Sequence, residues 1–129
     1  MTENKGGIAM SQQNESGLKA FTAGEDLEAY RRVKLDTGSG TQVVYADATE
    51  DAIGVTQEKV SSGEMVTVAL IHTGRTFKVT AEEAFAVGAS LYAADDGKVK
   101  DTVSGSCIGK SLELATADLE IIETILNRL

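Results

Sequence analysis

Residues 52–70 read AIGVTQEKVSSGEMVTVAL, and residues 107–125 read CIGKSLELATADLEIIETI. Set one on the other, Ile53 falls on Ile108, Gly54 on Gly109, Val66 on Ile121 and Leu70 on Ile125, an offset of 55 throughout. Each passage runs from an Ile-Gly pair through a turn (Ser61–Gly63, Ala115–Asp118) into an apolar run. Upstream, Val44-Tyr45-Ala46 echoes Leu91-Tyr92-Ala93. The repeat matters because the tail alone reads two ways. Leu112, Ala115, Leu119, Ile122, Leu126 and Leu129 have the 3–4 spacing of an amphipathic helix, whereas Leu119, Ile121 and Ile125 have strand spacing. In the first passage Val66, Val68 and Leu70 alternate with period two, the mark of a half-buried strand. The repeat therefore favours a strand over helix in residues 111–126.

Working outward, short β-like runs alternate with turn signals. Leu27–Leu35 (LEAYRRVKL) and Thr41–Ala46 (TQVVYA) precede the repeat unit, and Thr76–Thr80 (TFKVT) follows it. Ser90–Ala93 (SLYA) and Lys98–Val103 (KVKDTV) flank Asp95-Asp96-Gly97, where Asp-Gly signals a type I′ hairpin. Thr80-Ala81-Glu82-Glu83 has the form of a capping box and Gly88 suits a C′ position, so one short helix is expected near residues 81–87. Thirteen glycines, no proline and only three Tyr and three Phe fit a turn-rich β domain better than a helical bundle. The expected fold is mainly β, a compact small barrel or sandwich-like domain with two pseudo-repeated strand units.

A chain of 129 residues makes one domain and buries roughly two-thirds of its unfolded surface, enough to fold without staples. The net charge of −8 repels phosphate backbones, so no nucleic acid is expected as a partner. No apolar run approaches the length of a membrane span, and the N-terminus has no apolar core of a signal peptide, so no membrane is expected either. The single cysteine, Cys107, forbids an internal disulfide and suits synthesis in a reducing cytoplasm.

Residues 1–17 are polar, with isolated Ile8 and Met10 and no period. Such a segment buries too little apolar surface to hold itself. Fixing it costs on the order of 15–35 kcal/mol of backbone entropy, which only extensive contact with a partner offsets. Residues 1–20 are therefore expected to form an extended arm and residues 21–129 the β domain. Ile8, Met10, Leu18 and Phe21, apolar side chains in polar sequence, are the candidate anchors of that arm.

Several passages taken in order carry a resemblance. They are Ala52-Ile53-Gly54-Val55, then Gly63-Glu64-Met65-Val66, then Thr73-Gly74 before Phe77-Lys78-Val79. Ala86-Val87-Gly88-Ala89-Ser90-Leu91-Tyr92-Ala93, Asp96-Gly97-Lys98-Val99 and Ile108-Gly109 complete the series. Together, over residues 40–126, they resemble a tailed-bacteriophage family of capsid decoration, or cement, proteins. The resemblance implies a compact β domain, a homotrimer, binding to the major capsid protein on the outer surface of the virion, and no catalysis. The arm would then join neighbouring coat subunits, three arms acting through effective concentration.

Other motifs carry less. Ser104–Ser111 (SGSCIGKS) nearly matches a phosphate-binding loop, but Ser104 stands where the first glycine belongs and only 18 residues follow. A Gly-rich turn into a strand is the expectation. Asp36-Thr37-Gly38-Ser39 matches the short signature of aspartic proteases, whose two aspartates would require a homodimer. The charged Arg31-Arg32-Val33-Lys34 is a poor buried strand for that site, and a turn is expected instead. His72, the sole histidine, reads as a strand-edge residue and Cys107 as a small core residue; with no four-ligand cluster, no metal and no cofactor are expected. Asp36 protease chemistry and a fibre- or adhesin-like module for a host surface remain the alternatives.

Overall fold

The computed structural model describes residues 16–71 and 74–127. β1 (Leu18–Ala23), β2 (Arg32–Leu35), β3 (Gln42–Tyr45), β4 (Gly54–Thr56) and β5 (Met65–Leu70) close a barrel in the order β1-β3-β2-β4-β5. β6 (Phe77–Thr80), β7 (Ser90–Ala93), β8 (Val99–Lys100), β9 (Gly109–Ser111) and β10 (Ile121–Leu126) form a second sheet, β6-β10-β9-β7-β8. Its ends meet at one parallel bridge, Ala81 with Val99, where the first barrel has Ala23 beside Val43 in its parallel β1–β3 pair. The protein is mainly β, and its second half is a half-barrel built on the plan of the first.

The two halves share a set of equivalent hydrogen bonds. Leu27 and Val60 exchange amide bonds as Phe85 and Ala115 do. The Ile53 amide donates to the Val33 carbonyl as Ile108 donates to Leu91, and Gln57 to Thr67 as Leu112 to Glu123. Gly54 and Gly109 share a reason for being glycine. A Cβ on Gly54 would run into the carbonyl of Ala69, and one on Gly109 into that of Ile125.

The offset, however, is not constant. It is 55 from Val60 to Ala115 but 56 from Glu64 to Glu120, which accept the amides of Ala23 and Ala81 respectively. One extra residue sits in the second turn. The counterparts of Val66 and Leu70 are therefore Ile122 and Leu126, not Ile121 and Ile125. Because strand side chains alternate faces, that single residue exchanges inside and outside. Ile122, Thr124 and Leu126 are buried, while Ile121 and Ile125 are 47% and 41% exposed. The Tyr-Ala echo is also not a true equivalence: Tyr45 lies on β3 and Tyr92 on β7, whose counterpart is β2.

Three further expectations are corrected. Residues 81–87 form no helix. The Thr80 hydroxyl that would cap it donates to the Tyr30 carbonyl at 3.0 Å, and the Glu83 carboxylate accepts from Asp101 and Thr102. Phe85 instead bridges to Ala115. Leu27–Leu35 is not one strand, because Tyr30 takes a positive φ of 60° and breaks the run before β2. Cys107 is exposed, and Ile108 beside it is the core residue. The Asp-Gly hairpin stands: Asp96 and Gly97 have φ of 57° and 72°, both positive as a type I′ turn requires, within a 3-10 turn at Asp95–Gly97.

Each half has its own core. Phe21, Leu27, Val33, Val43, Val66 and Val68 fill the first barrel. Phe77, Val79, Phe85, Leu91, Val99, Ile122 and Leu126 fill the second. Val55 and Ala69, cross-strand partners on the outer side of β4 and β5, join this second core and close the half-barrel.

Candidate functional site

The seam between the halves is built on Arg32. This residue alternates with Val33 on β2, and its side chain leaves the first barrel and is 1% exposed. Its Nη2 donates to the carbonyls of Ala46 at 3.1 Å and Ala94 at 2.9 Å, and its Nε to that of Lys98 at 3.2 Å. Burial pushes its pKa down to about 10, against the pull of Asp47 and Glu50, so it is charged at neutral pH. Arg31 donates to the Asp96 carbonyl at 2.9 Å, and the Asp96 amide to the Asp47 carboxylate at 2.9 Å. Gly97 lies so close that a Cβ on it would strike the backbone of Arg32. The hairpin turn of the second half is thus seated on the first.

A groove of about 470 Å³ opens along this seam, lined by Tyr30, Gln57, Arg75, Thr76, Lys78 and Glu123. Lys78 Nζ stands 5.8 Å from the Tyr30 ring centre, and Thr76 Oγ1 donates to Glu123 at 2.6 Å. Its lining combines the cationic Arg75 and Lys78 with the Glu123 carboxylate, groups suited to charge and hydrogen-bond contacts. A smaller cavity of about 140 Å³ sets Glu50 and Asp51 against Ser104–Ser106. These carboxylates repel phosphate, and Ser104–Ser111 runs as a turn into β9 with no helix after it.

The Asp36 motif is a turn ending β2. Its carboxylate accepts from the Thr37 amide and the Gln42 side chain, both at 2.9 Å, and so serves the β2–β3 connection. Among the described residues no three of His, Cys, Asp and Glu come together as metal ligands.

Of the candidate anchors, Ile8 and Met10 lie outside the described residues, as does His72. Leu18 opens β1 and is 42% exposed. Phe21 is buried in the first barrel, which makes it the root of whatever precedes it. Sequence reasoning missed Arg32 and the seam groove. The signal for Arg32 was present, a doubled Arg beside β2's apolar Val33, but its partners lie 14 to 66 residues away.

The family model for phage cement proteins matches residues 12–129. The chain belongs to the phage cement protein family. This cement protein is a phage structural, virion-associated protein. No curated protein matches its sequence. Among solved structures, it is similar to the head fiber gp8.5 N base in bacteriophage phi29, with 19% identity and a TM-score of 0.72. That alignment covers 87% of this chain and 96% of the other, a likeness of fold.

Proposed function

We propose that this cement protein is a non-enzymatic decoration protein that binds the major capsid protein on the outer surface of the phage head. It acts as a homotrimer and stabilises the shell through residues 1–20. The family match over residues 12–129 carries this reading. The geometry supports it: Arg32 ties the half-barrel to the barrel, and Phe21 fastens the root of the arm into the barrel core. Ile8 and Met10 are then the apolar groups that reach neighbouring coat subunits, and Leu18, paired to β5 and 42% exposed, is an apolar contact where the arm leaves the barrel wall. The net charge of −8 suits an outward, solvent-facing position rather than contact with packaged nucleic acid.

The test is sedimentation of the purified chain with expanded, DNA-filled capsids and with empty precursor shells. The full chain is expected to sediment with expanded capsids, and a chain lacking residues 1–17 to stay in solution while keeping its β spectrum. No sedimentation of the full chain would overturn the decoration reading; unchanged binding by the truncated chain would overturn the role of the arm. The likeness of fold to a head fiber base favours a second reading, a foot that holds a host-directed fibre. Co-purification with host envelope rather than coat protein would select it.

A further inference from the structure

The duplication makes each half a control for the other. On the outer face of β4 and β5, Val55 and Ala69 are cross-strand partners, and both are fully buried because the second half packs on them. Their counterparts on β9 and β10, Lys110 and Ile125, are also cross-strand partners, yet both are exposed. The surface through which one barrel receives the next is covered in the first half and open in the second.

This open face is also more apolar than folding demands. Leu112, Ile121 and Ile125 are 40%, 47% and 41% exposed. Ile121 and Ile125 share the outer face of β10 with Glu123, and the Leu112 amide bonds the carbonyl of Glu123, bringing the three residues together. The Glu123 side chain turns away to Thr76 on the β6 side. The first half folds with Gln57 where the second has Leu112. An apolar cluster that the fold does not need, on a face that already serves as a contact elsewhere in the same chain, marks an interaction surface.

We propose that the outer face of β9 and β10, centred on Leu112, Ile121 and Ile125, docks a second copy of this chain. The contact uses, between chains, the strand face that Val55 and Ala69 bury within one chain, and extends it to Ile121, whose counterpart Met65 is 58% exposed beyond the internal seam. Repetition of one stacking step is a head-to-tail arrangement, which gives a ring where its rotation closes and a filament where it does not. The inference deepens the decoration reading by naming the surface through which copies meet, and it rests on that reading.

Sedimentation equilibrium of the full chain over a concentration series tests it, with an Ile121→Asp/Ile125→Asp double variant and a Met65→Asp control at the position equivalent to Ile121. Wild type and control are expected above the mass of one chain, and the double variant at that mass, its association weakened at least tenfold. A single-chain wild type, an assembled double variant, or equal dissociation of the control would overturn the proposal. Should the double variant fail to fold, a photo-crosslinking residue at position 125 of the otherwise native chain replaces it. A crosslinked pair of chains supports the contact, and its absence overturns it. Capsid sedimentation separates the two readings. Oligomers that ignore capsids would end the decoration reading and keep the contact, whereas single chains bound to capsids would do the reverse.

Discussion

Arg32 of the first barrel donates at 2.9 Å to the carbonyl of Ala94 in the second, so a buried charge of one half satisfies the backbone of the other. Replacing Arg32 with Met keeps much of the apolar stem but takes this donor from three carbonyls, of which those of Ala46 and Lys98 keep the amides of Gly97 and Ala94. The Ala94 carbonyl is then an unsatisfied buried acceptor, which costs about 1–3 kcal/mol, and a loss of that size is expected in urea unfolding. The transition should also split as the two halves uncouple. Arg32→Lys is expected to lose less, yet not to recover wild-type stability, since an ammonium cannot reproduce the planar fork.

Gly109 and Gly54 are expected to resist substitution. In each, a Cβ meets the carbonyl of the neighbouring strand, Ile125 or Ala69, and backbone cannot step aside as a flexible side chain would. Gly109→Ala and Gly54→Ala should each cost about 1–3 kcal/mol by overpacking. Gly40→Ala meets nothing within 4 Å and should stay within about 0.5 kcal/mol of wild type. Denaturant midpoints of the three variants check this.

Acid should weaken the turn that receives the second half. The hydrogen bond from Lys34, at 2.5 Å, and the one from the Asp47 amide, at 2.8 Å, hold the Glu50 carboxyl below its usual value of 4.5. For a carboxylate with a depressed folded-state pKa, the unfolded chain takes up its proton first. The contribution of Glu50 is therefore complete above pH 4.5 and is lost as pH falls through the lower, folded value. Melting temperatures measured downward from pH 6 should fall below pH 4.5, and Glu50→Gln should flatten that slope.

Leu119 has a φ of 70°, where its counterpart Gly63 has 88°. Left-handed backbone costs a non-glycine residue roughly 1–2 kcal/mol, and glycine's extra freedom in the unfolded chain returns about 0.5–1 kcal/mol of that. Leu119 is 58% exposed, so little apolar burial is forfeited. Leu119→Gly should stabilise by up to about 1 kcal/mol, and Gly63→Leu should destabilise by a similar amount, read from thermal unfolding.

Much of the architecture was legible in short patterns. Alternation in Val66, Val68 and Leu70 announced β5, Asp96-Gly97 announced its turn, and the doubled Ile-Gly announced a repeated β unit. Patterns failed where one residue had two possible partners. Thr80 and Glu83 had the form of a helix cap until Tyr30 and Asp101-Thr102, distant in sequence, claimed their side chains. The arm anchors were read from apolar residues in polar surroundings, a criterion that cannot distinguish an outward Leu18 from a Phe21 committed to a core.

By itself, the amino-acid sequence determined that this is a β protein made of two related units, because period-two alternation and Gly-bearing turns are local properties of a chain. Only the tertiary structure decided which side of each strand is inside. One added residue between Ala115 and Glu120 turns Ile121 and Ile125 outward and Ile122 and Leu126 inward, although all four are equally apolar in sequence. The choice belongs to the cross-strand register, which is set by hydrogen bonds to β6 and β9 rather than by anything within β10.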